Sequence, residues 1–143
     1  MPSFGKTSIQ RLETCHKDLQ TICNEVIKYY DFSVIEGYRT LEMQQKYFKD
    51  GKSKLDGINQ KSKHQSLPSL AVDVAPYPID FKNEHKAKAR FYHLAGYMFM
   101  ASEILYKEKK ITHKLRWGGD WDIDNYFNDQ SFDDLPHFEL VKV

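Results

Sequence analysis

"SKHQSLPSLAVD", residues 62–73, decides the fold, because it sets a histidine and an aspartate nine positions apart in a stretch that cannot be one helix. Pro68 lacks a backbone donor and pushes Leu67 toward an extended conformation, so the chain turns here. The apolar run that follows, "AVDVAP", reads as a short buried strand carrying Asp73. Upstream, residues 51–70 are polar, rich in Gly, Ser and Lys, and aperiodic. A loop that long inside a compact domain is usually functional or disordered.

Working outward, "FSVIEGYR" has the aromatic and β-branched content of a strand, ending near Arg39. Thr40 caps a short helix, "LEMQQKYFKD", which stops at Gly51. Apolar residues from Ile9 to Ile27 keep helical spacing, predicting one helix over Ser8–Tyr30 with Thr7 facing Gln10 in a capping box. A second long helix is expected from Asn83 to Lys107, its apolar face made by Phe91, Leu94, Ala95, Met98, Phe99 and Leu105. The chain ends in a short strand, an acidic aromatic loop and a final strand, "HFELV". These elements predict one α+β domain over residues 1–143, with a small, mostly antiparallel sheet flanked by helices.

Composition narrows the function. Apolar residues at 41% and charged residues at 29% are ordinary for a globular chain. A net charge of +1 argues against a general electrostatic grip on nucleic acid. The basic run Tyr106–Arg116 reads as a solvated helix end and loop. No run approaches the roughly eighteen apolar residues that membrane insertion needs. The first residues lack the apolar core of a signal peptide, so synthesis and residence in the cytoplasm, as a monomer, are expected. Cys15 and Cys23, eight apart on one expected helix, would be about 12 Å apart along the axis and unable to pair.

Six histidines are available for chemistry. His16, His85 and His93 fall in or beside helical patterns with no ligand partner at i+4, which favours structural or solvated roles, and HExxH is absent. His64 and His137 differ, each standing near a carboxylate where loop passes into strand. In "DDLPHFEL", Pro136 discourages a helix, which places Asp134 on the approach loop and His137 at the start of the strand. Together His64, Asp73 and His137 give a three-ligand N/O set suited to zinc, with a fourth position left for water. Asp134 is then free to act on that water, with Asp133 the alternative base. Asp120, Asp122 and Asp124 form D-x-D-x-D. An EF-hand does not fit, because Asn125 stands at its glycine position and Ser131 at its glutamate. A solvated loop with Trp117, Trp121 and Tyr126 as packing or groove walls is the simpler reading.

Taken in order, Ser62-x-His64, Ala71-x-Asp73, "WGGDW" (117–121) and Asp134-Leu-Pro-His137-Phe-Glu-Leu resemble the motifs of a family of zinc peptidoglycan peptidases. That group holds D-alanyl-D-alanine carboxypeptidases, D,D-dipeptidases and phage L-alanyl-D-glutamate endopeptidases, and its wider fold includes the hedgehog signalling domain. "GYRTLEMQQ" resembles a further segment, in which Arg39 is followed five residues on by Gln44. The resemblance implies that His64, Asp73 and His137 bind zinc and that Asp134 is the general base. It implies that Arg39 steadies the oxyanion or holds a substrate carboxylate. Ser62 and Gln44 would lie against the substrate, with Trp117 and Trp121 as groove walls.

One departure is visible: eight residues, "QSLPSLAV", separate His64 from Asp73, where the family pattern keeps six with a central glycine. Two extra residues preserve strand alternation, so they are read as a lengthened turn around Pro68. The compact, signal-free form most resembles phage endolysins that cut the L-Ala–D-Glu bond of stem peptides and reach the wall through a separate membrane pore. A bacterial D,D-carboxypeptidase and a non-catalytic, zinc-containing wall-binding module are the alternatives. Asp134 separates enzyme from binder, because a binder has no use for a carboxylate beside a complete ligand set.

Overall fold

Alternation within "AVDVAP" orients the sheet. Val72 and Val74 are fully buried in the hydrophobic core, while Asp73 between them projects from the opposite face. The computed structural model describes residues 2–124 and 134–143. In chain order these form α1 (Lys6–Leu12), α2 (Lys17–Val26), β1 (Phe32–Glu36), α3 (Leu41–Lys49), a 3-10 turn (Lys63–Gln65), β2 (Ala71–Pro76), α4 (Glu84–Lys107), β3 (Lys114–Gly118) and β4 (Asp134–Val141). The strands make one antiparallel sheet in the order β1-β2-β4-β3. The expected α+β class with a small antiparallel sheet is what the chain forms.

One face of the sheet carries Val34, Val72, Val74, Leu115, Trp117, Phe138 and Leu140 into a core completed by Leu19, Ile22 and Val26 of α2 and Leu94 and Met98 of α4. The other face is left for polar residues. Two irregularities shape it. Between Val34 and Glu36 the register with β2 shifts, so that Glu36 and not Ile35 lies opposite Asp73. Between Trp117 and Gly118 the register with β4 shifts again, from Trp117↔Phe138 to Gly118↔Asp134. Pro136 falls inside that second irregularity, where a residue without an N–H interrupts no ladder bond.

Helix α4 agrees with the sequence expectation to within a residue, with Asn83 as its cap and not its first turn, and Thr40 caps α3 as expected, its Oγ1 accepting from Met43 N at 3.2 Å. The N-terminal expectation is corrected. Two helices replace one, and the capping box at Thr7 is absent because α1 already begins at Lys6 with Gly5 as its cap. The break at residues 13–16 has a tertiary cause: Ser69 N donates to Thr14 O at 2.9 Å and His16 N donates to Ser69 O at 2.8 Å. His16 then caps α2, its Nδ1 accepting from Asp18 N at 2.9 Å. The loop around Pro68 thus docks between α1 and α2. Cys15 and Cys23 are free and buried.

Candidate active site

Strand register brings the first two side chains together. Asp73 on β2 lies opposite His137 on β4, so both project from the polar face as neighbours. His64 comes from the 3-10 turn, which is held by a capping box. Ser62 Oγ accepts from His64 N at 3.2 Å, and Gln65 Oε1 accepts from Ser62 N at 2.9 Å. The turn is tied to its surroundings by Arg39 N donating to His64 O at 2.8 Å and Leu70 N donating to Lys63 O at 3.1 Å. The lengthened connection therefore folds back and delivers His64 to Asp73.

Backbone and carboxylate acceptors fix both imidazoles. His64 Nδ1 lies 2.7 Å from Gly37 O, and a carbonyl can only accept, so the proton sits on Nδ1 and the Nε2 lone pair faces inward. Gly37 is required at this approach, since a Cβ would overlap Arg11 O and the side chains of Thr14 and Cys15. His137 Nε2 lies 2.8 Å from Glu139 Oε1, which turns the Nδ1 lone pair inward. His64 Nε2, His137 Nδ1 and Asp73 Oδ1 then form a triangle with sides of 3.2, 3.3 and 3.2 Å.

With neutral imidazoles no hydrogen stands between those three atoms, and their lone pairs repel unless a cation sits among them. Ligands about 2.0–2.1 Å from a tetrahedral ion are about 3.3–3.4 Å from one another, the spacing of this triangle. The residues present therefore fit a zinc ion. Without metal, a proton serves instead: burial alone would depress His137, yet its bonds to Asp73 and Glu139 raise it to about 9. Asp73 is held well below the usual carboxylate range, its bonds to His137 and His64 outweighing burial.

The triangle lies in a cavity of about 580 Å³ whose walls include Arg39, Tyr47, Lys63, Trp121 and Asp134. Asp134 is the first residue of β4, placed on the strand and not on the approach loop as the sequence suggested. Gly118 lies opposite, and a Cβ there would overlap the Asp134 carbonyl. Burial and the neighbouring Asp73 charge push the Asp134 carboxyl above its ordinary range in the metal-free site. Arg39 is pinned by an ion pair to Glu36, with Nη1 donating to Gln44 Oε1 at 2.7 Å and Nη2 3.5 Å from Asp73 Oδ2.

With that geometry in place, residues 2–141 match the family of phage L-alanyl-D-glutamate peptidases. The chain belongs to that family. It is 29% identical to the L-alanyl-D-glutamate peptidase of Escherichia phage T5 over 146 residues, covering 96% of this chain and 97% of the relative. In fold it is similar to the L-Ala D-Glu endopeptidase ChiX of Serratia marcescens, with a TM-score of 0.69 at 23% identity. That alignment covers 98% of this chain and 91% of the other.

Of the residues expected to meet substrate, Trp121 and Ser62 line the cavity, and the Trp121 ring lies 5.3 Å from that of His137. Two expectations are corrected. Gln44 is fully buried outside the cavity wall, its amide joining Arg39 to Ser53 Oγ and Leu55 O at 2.9 and 2.7 Å. Trp117 is a core residue, stacked on Phe138 with Nε1 donating to Leu135 O at 2.7 Å. Sequence reasoning missed Glu36 and Glu139. The second was accessible in principle, because His137-x-Glu139 on a strand puts both residues on one face.

A second histidine cluster is internally satisfied. Asp18 Oδ2 accepts from Thr112 N and His113 N at 3.0 and 3.2 Å and lies 2.7 Å from His113 Nδ1. His16 Nδ1 is occupied by Asp18 N. In the acidic loop, Asp120 is buried and its Oδ1 accepts from Asp124 N at 3.2 Å. Asn125, Tyr126, Ser131 and Asp133 lie outside the described residues.

Proposed function

We propose that this chain is a zinc peptidase that hydrolyses the L-alanyl-D-glutamate bond of peptidoglycan stem peptides, acting on the cell wall as a phage endolysin. One observation carries the chemistry: three lone-pair atoms from His64, Asp73 and His137 converge at 3.2–3.3 Å in a cavity open to a peptide. The family match carries the substrate.

In this reading His64 Nε2, His137 Nδ1 and Asp73 Oδ1 hold the ion. Zinc bound there supplies a Lewis acid and brings the acidity of water toward a pKa of about 7. Asp134, on the cavity wall beside the ligands, takes the proton from the attacking water and delivers it to the departing amine of D-glutamate. Arg39 braces Asp73 and places a fixed positive charge at the wall where the oxyanion develops. Trp121 and Tyr47 offer flat apolar walls to the peptide.

Digestion of purified peptidoglycan, followed by mass spectrometry of the products, tests the assignment. New L-Ala carboxyl and D-Glu amino termini are expected. Free D-Ala as the main product would move the chain to the carboxypeptidase reading, and wall binding without cleavage would move it to the binding-module reading.

A further inference from the structure

His64 and His137 are oriented by different kinds of acceptor. His64 leans on a neutral backbone carbonyl at Gly37, whereas His137 leans on the carboxylate of Glu139. Glu139 is only 6% exposed, and a buried carboxylate persists only when it is paired. Its two oxygens divide the work. Oε2 accepts from Arg116 Nη2 at 2.6 Å and Nε at 3.2 Å, and lies 3.3 Å from Lys63 Nζ. Oε1 is thereby turned to His137 Nε2 at 2.8 Å.

Three elements make this arrangement. Glu139 lies two residues beyond His137 on the same face of β4, and Arg116 sits directly opposite Glu139 on β3. Lys63 arrives on the turn that carries His64, and its Nζ also donates to Leu140 O at 2.5 Å. The Arg116 and Lys63 side chains are 34% and 33% exposed, so both cations can be rehydrated if the carboxylate is removed. Glu139 is thus tied at one oxygen to two flexible cations and at the other to a metal-facing imidazole.

We propose that Glu139 is a positioning residue for the metal site: its carboxylate, clamped by Arg116 and Lys63, holds His137 in the tautomer and ring orientation that presents Nδ1 to the ion. This rests on the zinc reading above. A carboxylate behind a ligating histidine fixes the tautomer and makes the ligand more basic, and its loss typically weakens metal affinity 10–100-fold. Arg116 acts through Glu139 by fixing which oxygen is free.

The test measures zinc affinity by competition with a chromophoric chelator, for wild type, Glu139→Ala, Glu139→Gln and Arg116→Met. Thermal midpoints of the metal-free proteins are recorded alongside. Glu139→Ala is expected to weaken zinc binding about 10–100-fold, with Glu139→Gln and Arg116→Met intermediate. Zinc affinity equal to wild type in Glu139→Ala, whatever its midpoint, would overturn the proposal and leave Glu139 a structural ion-pair residue. Nitrogen NMR of ¹⁵N-histidine-labelled, zinc-loaded wild type needs no variant to fold. Nδ1 ligation of His137 with a protonated, slowly exchanging Nε2 is expected, and Nε2 ligation would overturn the proposal. Failure of wild type to bind zinc at all would overturn the metal reading itself, and this proposal with it.

Discussion

Asp134 and His137 stand three residues apart on one strand, yet removing each has a different signature. Asp134→Asn keeps the ligand triangle and is nearly isosteric, so zinc content and melting temperature should hold while peptidoglycan hydrolysis falls by roughly 10²–10⁴-fold. Zinc lost along with activity would make Asp134 a ligand. Undiminished activity would put the base elsewhere, Asp133 first. Arg39→Lys should also lose activity with zinc retained, because one ammonium cannot reach Glu36, Gln44 and Asp73 together as the guanidinium does. Turnover equal to wild type would reduce Arg39 to a packing residue. That His64, Asp73 and His137 could share a metal was legible in the sequence, because His64 and His137 each stand near a carboxylate outside any helical pattern and Asp73 sits in a short apolar strand. Gln44 and Trp117 were misread because sequence proximity to a motif does not say which way a side chain turns. Helix α3 turns Gln44 inward, and alternation along β3 turns Trp117 into the core.

At the scale of elements, the strands followed from short apolar, β-branched and aromatic runs and α4 from helical spacing, while the break between α1 and α2 did not show. No local signal marks it, since Thr14 and His16 are diverted by backbone bonds to Ser69, more than fifty residues away. The Asp18 carboxylate, which ties α2 to the entry of β3, gives an element-scale prediction. Against the opposing effect of burial, bonds from His113 and Thr112 hold its pKa below the ordinary value. A depressed folded-state pKa stabilises above the unfolded value of about 3.9, and that stabilisation is lost as pH falls through the folded value. Asp18→Asn should therefore be less stable than wild type near pH 7, by about 1–3 kcal/mol, and the gap should narrow below about pH 4. A gap that does not change with pH, in denaturant melts at both ends of that range, would contradict the assignment. Gly118→Ala should displace the start of β4 and lower both melting temperature and activity, because the new Cβ would overlap the Asp134 carbonyl and crowd its Cβ, neither of which can swing away. An unchanged melting temperature would show that the register irregularity at Gly118 absorbs it.

Across the whole molecule, the three candidate ligands come from three separate elements: the turn after the long loop, the strand β2 and, more than sixty residues further on, the last strand β4. An ion held by all three ties the loop to both central strands, so its binding free energy is also folding free energy. Zinc should raise the melting temperature of chelator-stripped protein, the rise corresponding to about 2.7 kcal/mol at a hundredfold excess over Kd. His64→Ala should abolish that rise. The polar face of the sheet is open for this purpose because α2 and α4 cover only the other one. The most direct test of the account titrates zinc into chelator-stripped protein while following peptidoglycan cleavage. Activity should be absent at the start and return in full at about one zinc per chain, with no return in His137→Ala. Stripped protein that cleaves as fast as untreated protein would contradict it.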